Sequence, residues 1–359
     1  MVQIYDFFPE RNKTKHNFCK FSYVSYENCH SFRIFAVQNE NQMKQYHIAA
    51  IGELNVDIIL NRIESEPEIG KEKFAKDMIV TLGSSTAIFA ANAAALGSRV
   101  CFVGQVGRDA FGDLVCSSLE AKGVDTRFIK KGSTPTGATI CMNYGEDRAN
   151  LTYQGAMDVM GYDDINPEVF DSVDHIHLSS LFMQSCLLRD IDKVLDKAAA
   201  KGITVSLDTQ WDPMETWKLD YQKVLPKVTV FLPNEKELQA LTGTQDLDSA
   251  IAKVLPYLGK AMVVKCGSKG SLLVQKDGSR HFLPAYLNKE VVDAIGAGDS
   301  FNSGFVSAFV RGMSLEKCQE TGNLTGAVNT TAAGGTGAFS SLESVRKVCL
   351  ERFGQPISL

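Results

Sequence analysis

The sequence predicts an α/β protein, a three-layer α/β/α sandwich with a predominantly parallel central sheet and a small β-sheet lid. Short β-branched runs at 48–52, 100–104, 175–178 and 204–207 alternate with stretches of helical character at 87–96, up to 122, and at 187–200. That rhythm is the one left by parallel strands joined through crossover helices. Two segments break it, 58–82 and 136–155, where apolar and polar residues alternate in pairs; these read as hairpins laid over the ligand crevice. With 359 residues, 44% of them apolar and 22% charged, the chain can hold one large α/β domain or two average ones.

Composition narrows the function classes. A net charge of −5 and no block of Lys or Arg leave no electrostatic footprint for nucleic acid or for a membrane surface. Nine cysteines, at 19, 29, 101, 116, 141, 186, 266, 318 and 349, are odd in number and form no C-x-x-C pair. This argues against a zinc site or disulfide framework and for a reducing, cytoplasmic setting. Residues 1–46 are rich in Phe, Tyr, Asn, Lys and His without sustained periodicity and hold no apolar run of signal-peptide length. They read as an extension outside the fold, which is expected over 47–354; a targeting segment, a tail, or sequence upstream of a start at Met43 all fit.

The first strand runs into Gly52-Glu53-Leu54-Asn55-Val56-Asp57 at its carboxyl end, where open α/β sheets keep their ligand crevice. Asn55 and Asp57, two residues apart on extended chain, project to one side and offer hydroxyl-binding groups, with an Asx-turn as the structural alternative. Gly83-Ser84-Ser85-Thr86 opens the Ala-rich helix and Gly97 stops it. Asp109 reads as a helix cap, structure rather than chemistry. His175 and His177 share a strand face; with no third ligand in register they read as solvent-edge or hydrogen-bonded histidines, not a metal site. Asp208, Trp211 and Asp212 follow the next strand on the ligand side, Trp211 as a crevice wall and Asp212-Pro213 equally as turn chemistry.

Asn234 with Glu237 has the spacing of a capping box, and 261–270 reads as strand, glycine turn, strand. The chain is organised around Val291 to Phe305. There Gly296-Ala297-Gly298 makes a tight turn, Asp299 closes it, and helical spacing follows at Phe301, Phe305 and Phe309. The bared amides at such a helix mouth attract phosphate. A carboxylate beside them suits phosphoryl transfer from a nucleotide to an alcohol, while a plain N-cap is the bland alternative. Asp293, six residues upstream, is placed to hold either a cation or the turn's own amides.

Asp293-Ala294-Ile295-Gly296-Ala297-Gly298-Asp299 resembles the D-T-x-G-A-G-D signature of the ribokinase-like (PfkB-type) carbohydrate kinases, with Ala294 where Thr is usual. G-x-x-N-x-D at 52–57, V-G-x-V-G-x-D-x-F-G at 103–112 and N-x-x-E at 234–237 precede it in the family's order, so the resemblance spans about 47–345. It implies a ribokinase-like fold and an ATP-dependent sugar kinase that uses Mg²⁺. Asp299 would be the general base, with Gly296, Ala297 and Gly298 forming the anion turn. Asn55, Asp57, Gly83 and Ser84 would meet the sugar. Asn234 and Glu237 would hold Mg²⁺ through water and, with Lys265, Gly267, Ser268, Gly270 and Asn323, line the nucleotide. Asp293 and the backbone of Ile295 would hold K⁺ or a similar ion, and some members use the β lid as a homodimer clasp. Two further positions depart from the family: Ser84 replaces a hinge Gly, and Ile88 stands where Asn usually reaches the sugar. No Lys or Arg lies in that loop, which favours an uncharged sugar. A nucleoside kinase and a catalytically silent sugar- or nucleotide-binding protein are the other readings. A Rossmann dehydrogenase would need G-x-G-x-x-G after the first strand, where the chain has Gly52-Glu53-Leu54-Asn55 instead.

Overall fold

The structure, a computed structural model, describes residues 44–144 and 147–359; residues 1–43, and with them nearly all of the expected extension, and the turn at 145–146 lie outside the described residues. In chain order the strands are β1 (Tyr46–Ile51), β2 (Asn55–Asn61), β3 (Asp77–Leu82), β4 (Val100–Gly107), β5 (Asp125–Gly132), β6 (Gly137–Tyr144), β7 (Asp147–Tyr153), β8 (Val173–Ser179), β9 (Thr204–Asp208), β10 (Val230–Phe231), β11 (Ala261–Lys265), β12 (Gly270–Gln275) and β13 (Arg280–Pro284). The α-helices are α1 (Ser85–Ala95), α2 (Ala110–Ala121), α3 (Val169–Ser172), α4 (Ser185–Ala200), α5 (Tyr221–Val224), α6 (Glu235–Thr242), α7 (Leu247–Val254), α8 (Ala297–Phe309), α9 (Leu315–Asn329) and α10 (Leu342–Phe353).

The central sheet runs β13-β12-β11-β10-β9-β8-β1-β4-β5, parallel from β5 to β11 and antiparallel at the β12–β13 edge. Its inner strands are apolar on both faces, which forces helices onto both. Ile48 and Ala50 of β1 face Phe89 of α1, Leu119 of α2, Phe305 of α8 and Leu315 of α9. Ala49 and Ile51 point the other way, to Leu195 of α4, Leu238 of α6 and Ile251 of α7. Each such buried Leu, Ile or Phe contributes roughly 1.5–3 kcal/mol over leaving it exposed. From β1 the chain moves to β4 and β5 on one side and returns to β8 on the other. That reversal opens a crevice at the carboxyl ends of β1 and β8, and the site lies there.

One expectation is corrected: β1 begins at Tyr46, earlier than the expected strand, because the Tyr46 hydroxyl donates to Asp125 (2.5 Å) and its ring packs edge-on against Phe128. Of the two readings of His175 and His177, solvent-edge or hydrogen-bonded, the structure shows the second: both are buried in β8. His175 contacts Thr204 and Ser206, His177 shares Ser206 (2.8 Å each), and Phe89 stacks on His177 at 3.7 Å. Burial pushes both imidazoles down to about 3, so they stay neutral.

The second sheet runs β3-β2-β6-β7, its two hairpins welded by a parallel β2–β6 pair. Register puts Asp57 beside Thr139 and Thr152, and Ile59 beside Cys141 and Asn150, on one face that lines a cavity. Met78, Val80, Leu151 and Tyr153 fall on the other face and are exposed. Among the described residues no helix is long and apolar enough to cross a membrane.

Candidate active site

The chain enters α8 through Gly296, whose φ of 76° is left-handed and where a Cβ would lie 2.7 Å from Gly335 Cα. Glycine alone satisfies both demands. Because Gly296 takes the capping position, Asp299 is the helix's third residue rather than its cap, with its carboxyl buried (6% exposed) on the cavity wall. Of the amides of Ala297, Gly298 and Asp299 at the helix mouth, that of Ala297 donates to Ala294 O (3.2 Å). Gly298 and Asp299 carry the donors left at the mouth, with the helix dipole behind them. Asp293 staples the turn, accepting from Ile295 N at Oδ1 and from Gly334 N at Oδ2 (2.9 Å each), while Ile295 O accepts from Asn329 Nδ2 (2.6 Å). These bonds are the turn-holding alternative to a cation.

Beside the mouth lies a buried polar network. Asp208 ends β9, and its Oδ2 accepts from Lys265 Nζ (2.5 Å), Asn302 Nδ2 (2.6 Å) and Gln210 Nε2 (3.0 Å). Gln210 Nε2 also donates to Asp299 Oδ1 (2.9 Å). A Cβ on Gly298 would lie 3.6 Å from Lys265 Nζ, so the ammonium stands against the anion turn. Burial first, then Asp208, push the Asp299 carboxyl well above the usual carboxylate range; Lys265 opposes this, and Glu53 and Glu237 add to it. Burial works against the charge of Lys265, but Asp208 and Glu237 prevail and push its ammonium up. A buried carboxyl raised in this way inside a cleft marks a candidate acid or base.

At one end of the cavity Asn55 Nδ2 donates to Asp57 Oδ1 (3.2 Å) and Thr139 Oγ1 (2.9 Å), which orients the pair expected from sequence. Gly83 passes so close that a Cβ would meet Asp57 Oδ1 at 2.3 Å. Ser84, in the hinge position where the family has Gly, holds a φ of 72°. Its hydroxyl donates to Glu53 O (2.6 Å) and accepts from Ala87 N (3.0 Å) as the cap of α1, so two bonds hold a backbone that glycine would adopt freely. Glu53 is buried at the strand-order reversal, bonded to the Thr86 amide and hydroxyl, and burial pushes its carboxyl up.

At the other end Asn234 and Glu237 form the expected capping box, with Glu237 N donating to Asn234 Oδ1 (2.9 Å) and Asn234 N to Glu237 Oε2 (2.8 Å). Burial, then Asp208, push Glu237 up to about 7. Both residues line the cavity. Glu237 Oε1 is outside the box, and an Asn oxygen and a carboxylate at a strand end suit a hydrated Mg²⁺ held chiefly by phosphates. Gly267, Ser268 and Gly270 line the same end. Asn323 is there too, but its amide is engaged by Leu283 O and Pro284 O (3.1 Å each) and ties α9 to β13. The cavity, about 890 Å³, runs from Asn55 and Asp57 past Asp299 to Gly267 and Asn323. That volume suits a nucleotide and a small polyol together.

Asp109 and Asp212 are structural. Asp109 caps α2 through Gly112 N and holds Thr136 N at the start of the β6 hairpin (2.8 Å each). Asp212 accepts from the amides of Met214, Thr216 and Trp217, while Trp211 lines the cavity and packs edge-on against Trp217. The reading from sequence passed over Gln210, Glu53 and Asn302. Glu53 lay inside a quoted motif at a strand end, which was signal enough; nothing local marks the other two.

A reversal-point crevice with a glycine turn at a helix mouth and an acid inside it defines the ribokinase-like class of α/β folds. The pfkB family carbohydrate kinase model matches residues 45–341, and the chain belongs to that family of carbohydrate kinases. An uncharacterized sugar kinase of Archaeoglobus fulgidus is 30% identical over 233 residues, covering 65% of this chain and 91% of that protein. The ribokinase of Arabidopsis thaliana is 29% identical over 287 residues, covering 76% of this chain and 72% of the relative. The solved structure of Arabidopsis thaliana ribokinase complexed with ribose and ATP is similar with a TM-score of 0.74 at 27% identity, covering 84% of this chain and 98% of that one.

Proposed function

We propose that the chain transfers the γ-phosphoryl group of ATP to a hydroxyl of an uncharged sugar or sugar-like substrate, with Asp299 as general base. The observation that carries this is the position of Asp299, buried between hydroxyl-binding groups at one end of the cavity and glycine turns at the other. ATP with Mg²⁺, near Asn234 and Glu237, supplies the phosphoryl group and compensates its charge. Asp57 accepts from and Asn55 donates to sugar hydroxyls, Asp299 takes the proton of the attacking hydroxyl, and the amides of Gly298 and Asp299 with Lys265 meet the charge on the transferring group. Among the described lining residues Lys265 is the one cation, and it belongs to the phosphate end. A substrate phosphate at the sugar end would therefore find no basic partner. The second sheet is the lid over the sugar. To its outer row, Met78, Val80, Leu151 and Tyr153, we assign a second copy of this chain. A K⁺ ion at Asp293 and Ile295 would share them with Gly334 and Asn329, and the proposed chemistry does not depend on it.

Asp299→Asn keeps the volume and removes the base. We expect kcat to fall about 10²–10⁴-fold with an unchanged melting temperature. Turnover within tenfold of wild type would remove Asp299 from this role.

A further inference from the structure

Gln210 follows β9 by two residues and holds a φ of 58°, a left-handed conformation that a residue of its type adopts rarely and under strain. Its backbone N donates to Asp208 Oδ1 (3.3 Å), and its side-chain Nε2 donates to both Asp208 Oδ2 (3.0 Å) and Asp299 Oδ1 (2.9 Å). Asp208 is itself pinned by Lys265 and Asn302. We propose that Gln210 is a positioning residue for the base. Its amide, aimed by the strained backbone and braced on Asp208, fixes the Asp299 carboxyl and leaves Oδ2 to receive the proton of the attacking hydroxyl.

The proposal rests on the reading of Asp299 as the base. Donation from the amide favours the ionised carboxylate. It thereby works against burial and against the acids that face Asp299 from the surrounding elements: Asp208 of β9, Glu53 after β1 and Glu237 of α6, with Lys265 of β11 the cation on the same side. A residue that only filled space would be left-handed for no gain, since glycine holds that backbone without strain.

The test uses the full chain with ATP–Mg²⁺ and a panel of uncharged pentoses, hexoses and nucleosides, following the best acceptor from about pH 5 to 9. Gln210→Gly relieves the backbone and removes the amide; Gln210→Met keeps the length and removes the amide. Both variants should lose about tenfold or more in kcat, keep both KM values within about threefold, and move the acid limb of the kcat profile up by about one pH unit. Gln210→Gly should melt no lower than wild type. If Asp299→Asn abolishes turnover while both Gln210 variants keep the wild-type kcat and pH profile, the role of Gln210 falls and the reading of the base stands. If kcat falls in both variants only in proportion to lost folded protein, with the profile unmoved, Gln210 is structural and the proposal is overturned. No transfer to any acceptor, or an active Asp299→Asn, overturns the reading of the site and this proposal with it.

Discussion

Asp57 carries its charge conditionally. Burial pushes its carboxyl up to about 6, the Asn55 amide pulls it down, and Glu53 adds to the push. With the pKa raised, the ionised form that accepts two hydroxyls is present above about pH 6 and lost below it. The sugar KM should rise about tenfold as pH falls from about 7 to about 5, and Asp57→Asn should show no such slope. Steady-state kinetics at each pH decide; a level sugar KM in the wild-type enzyme would put Asp57 outside the sugar site. Asn55, Asp57 and Asp299 were legible in the sequence because each follows a strand end or glycine turn at a spacing that determines where its side chain goes. Gln210 was not. A left-handed φ is unmarked in a glutamine, and its partner Asp299 lies 89 residues downstream. Asn323 was placed on the right wall, but spacing could not show that its amide is engaged by β13.

Among the elements, α1 shows how a local rule can be bent. Its cap, Ser84, sits in a glycine conformation, and its two hydroxyl bonds hold it there. Ser84→Ala loses the bonds and keeps the strain; Ser84→Gly loses both. Urea unfolding should find Ser84→Ala destabilised by about 1–2 kcal/mol and Ser84→Gly about 1 kcal/mol more stable than Ser84→Ala. Equal stability of the two variants would mean that the backbone stores no strain. The βαβ rhythm was legible where buried β-branched runs and helix stops leave clear marks, but the edge strands β5 and β13 and the helices α7 and α10 were not read. The ends of elements were less so: α1 starts at Ser85 rather than Ala87, since the cap is a residue whose hydroxyl could equally have bonded elsewhere. The histidines of β8 show the same limit. Alternation puts them on one face, but only the packing of Phe89 decides that the face is buried.

For the whole molecule, the parallel sheet followed from the alternation of elements, whereas the order of its strands and the parallel β2–β6 weld between the two hairpins are set by contacts between distant segments. Spacing along the chain holds no record of these. The weld makes the four strands one plate with an apolar outer row. If that row is covered by a second copy, Val80→Lys with Leu151→Lys should turn a dimer into a monomer in sedimentation equilibrium at micromolar concentration, with the melting temperature of the separated chain little changed. A wild-type chain that sediments as a monomer would end that assignment.

The cavity is built from two separate stretches of the gene product. Asn55, Asp57, Thr139, Asn150 and Thr152 wall one end, Lys265, Gly267, Ser268 and Asn323 wall the other, and Asp299 stands between. Heredity can therefore edit the two independently. On the proposed reading, a substitution in the β6–β7 hairpin would alter the acceptor end and leave the residues of the phosphate end untouched.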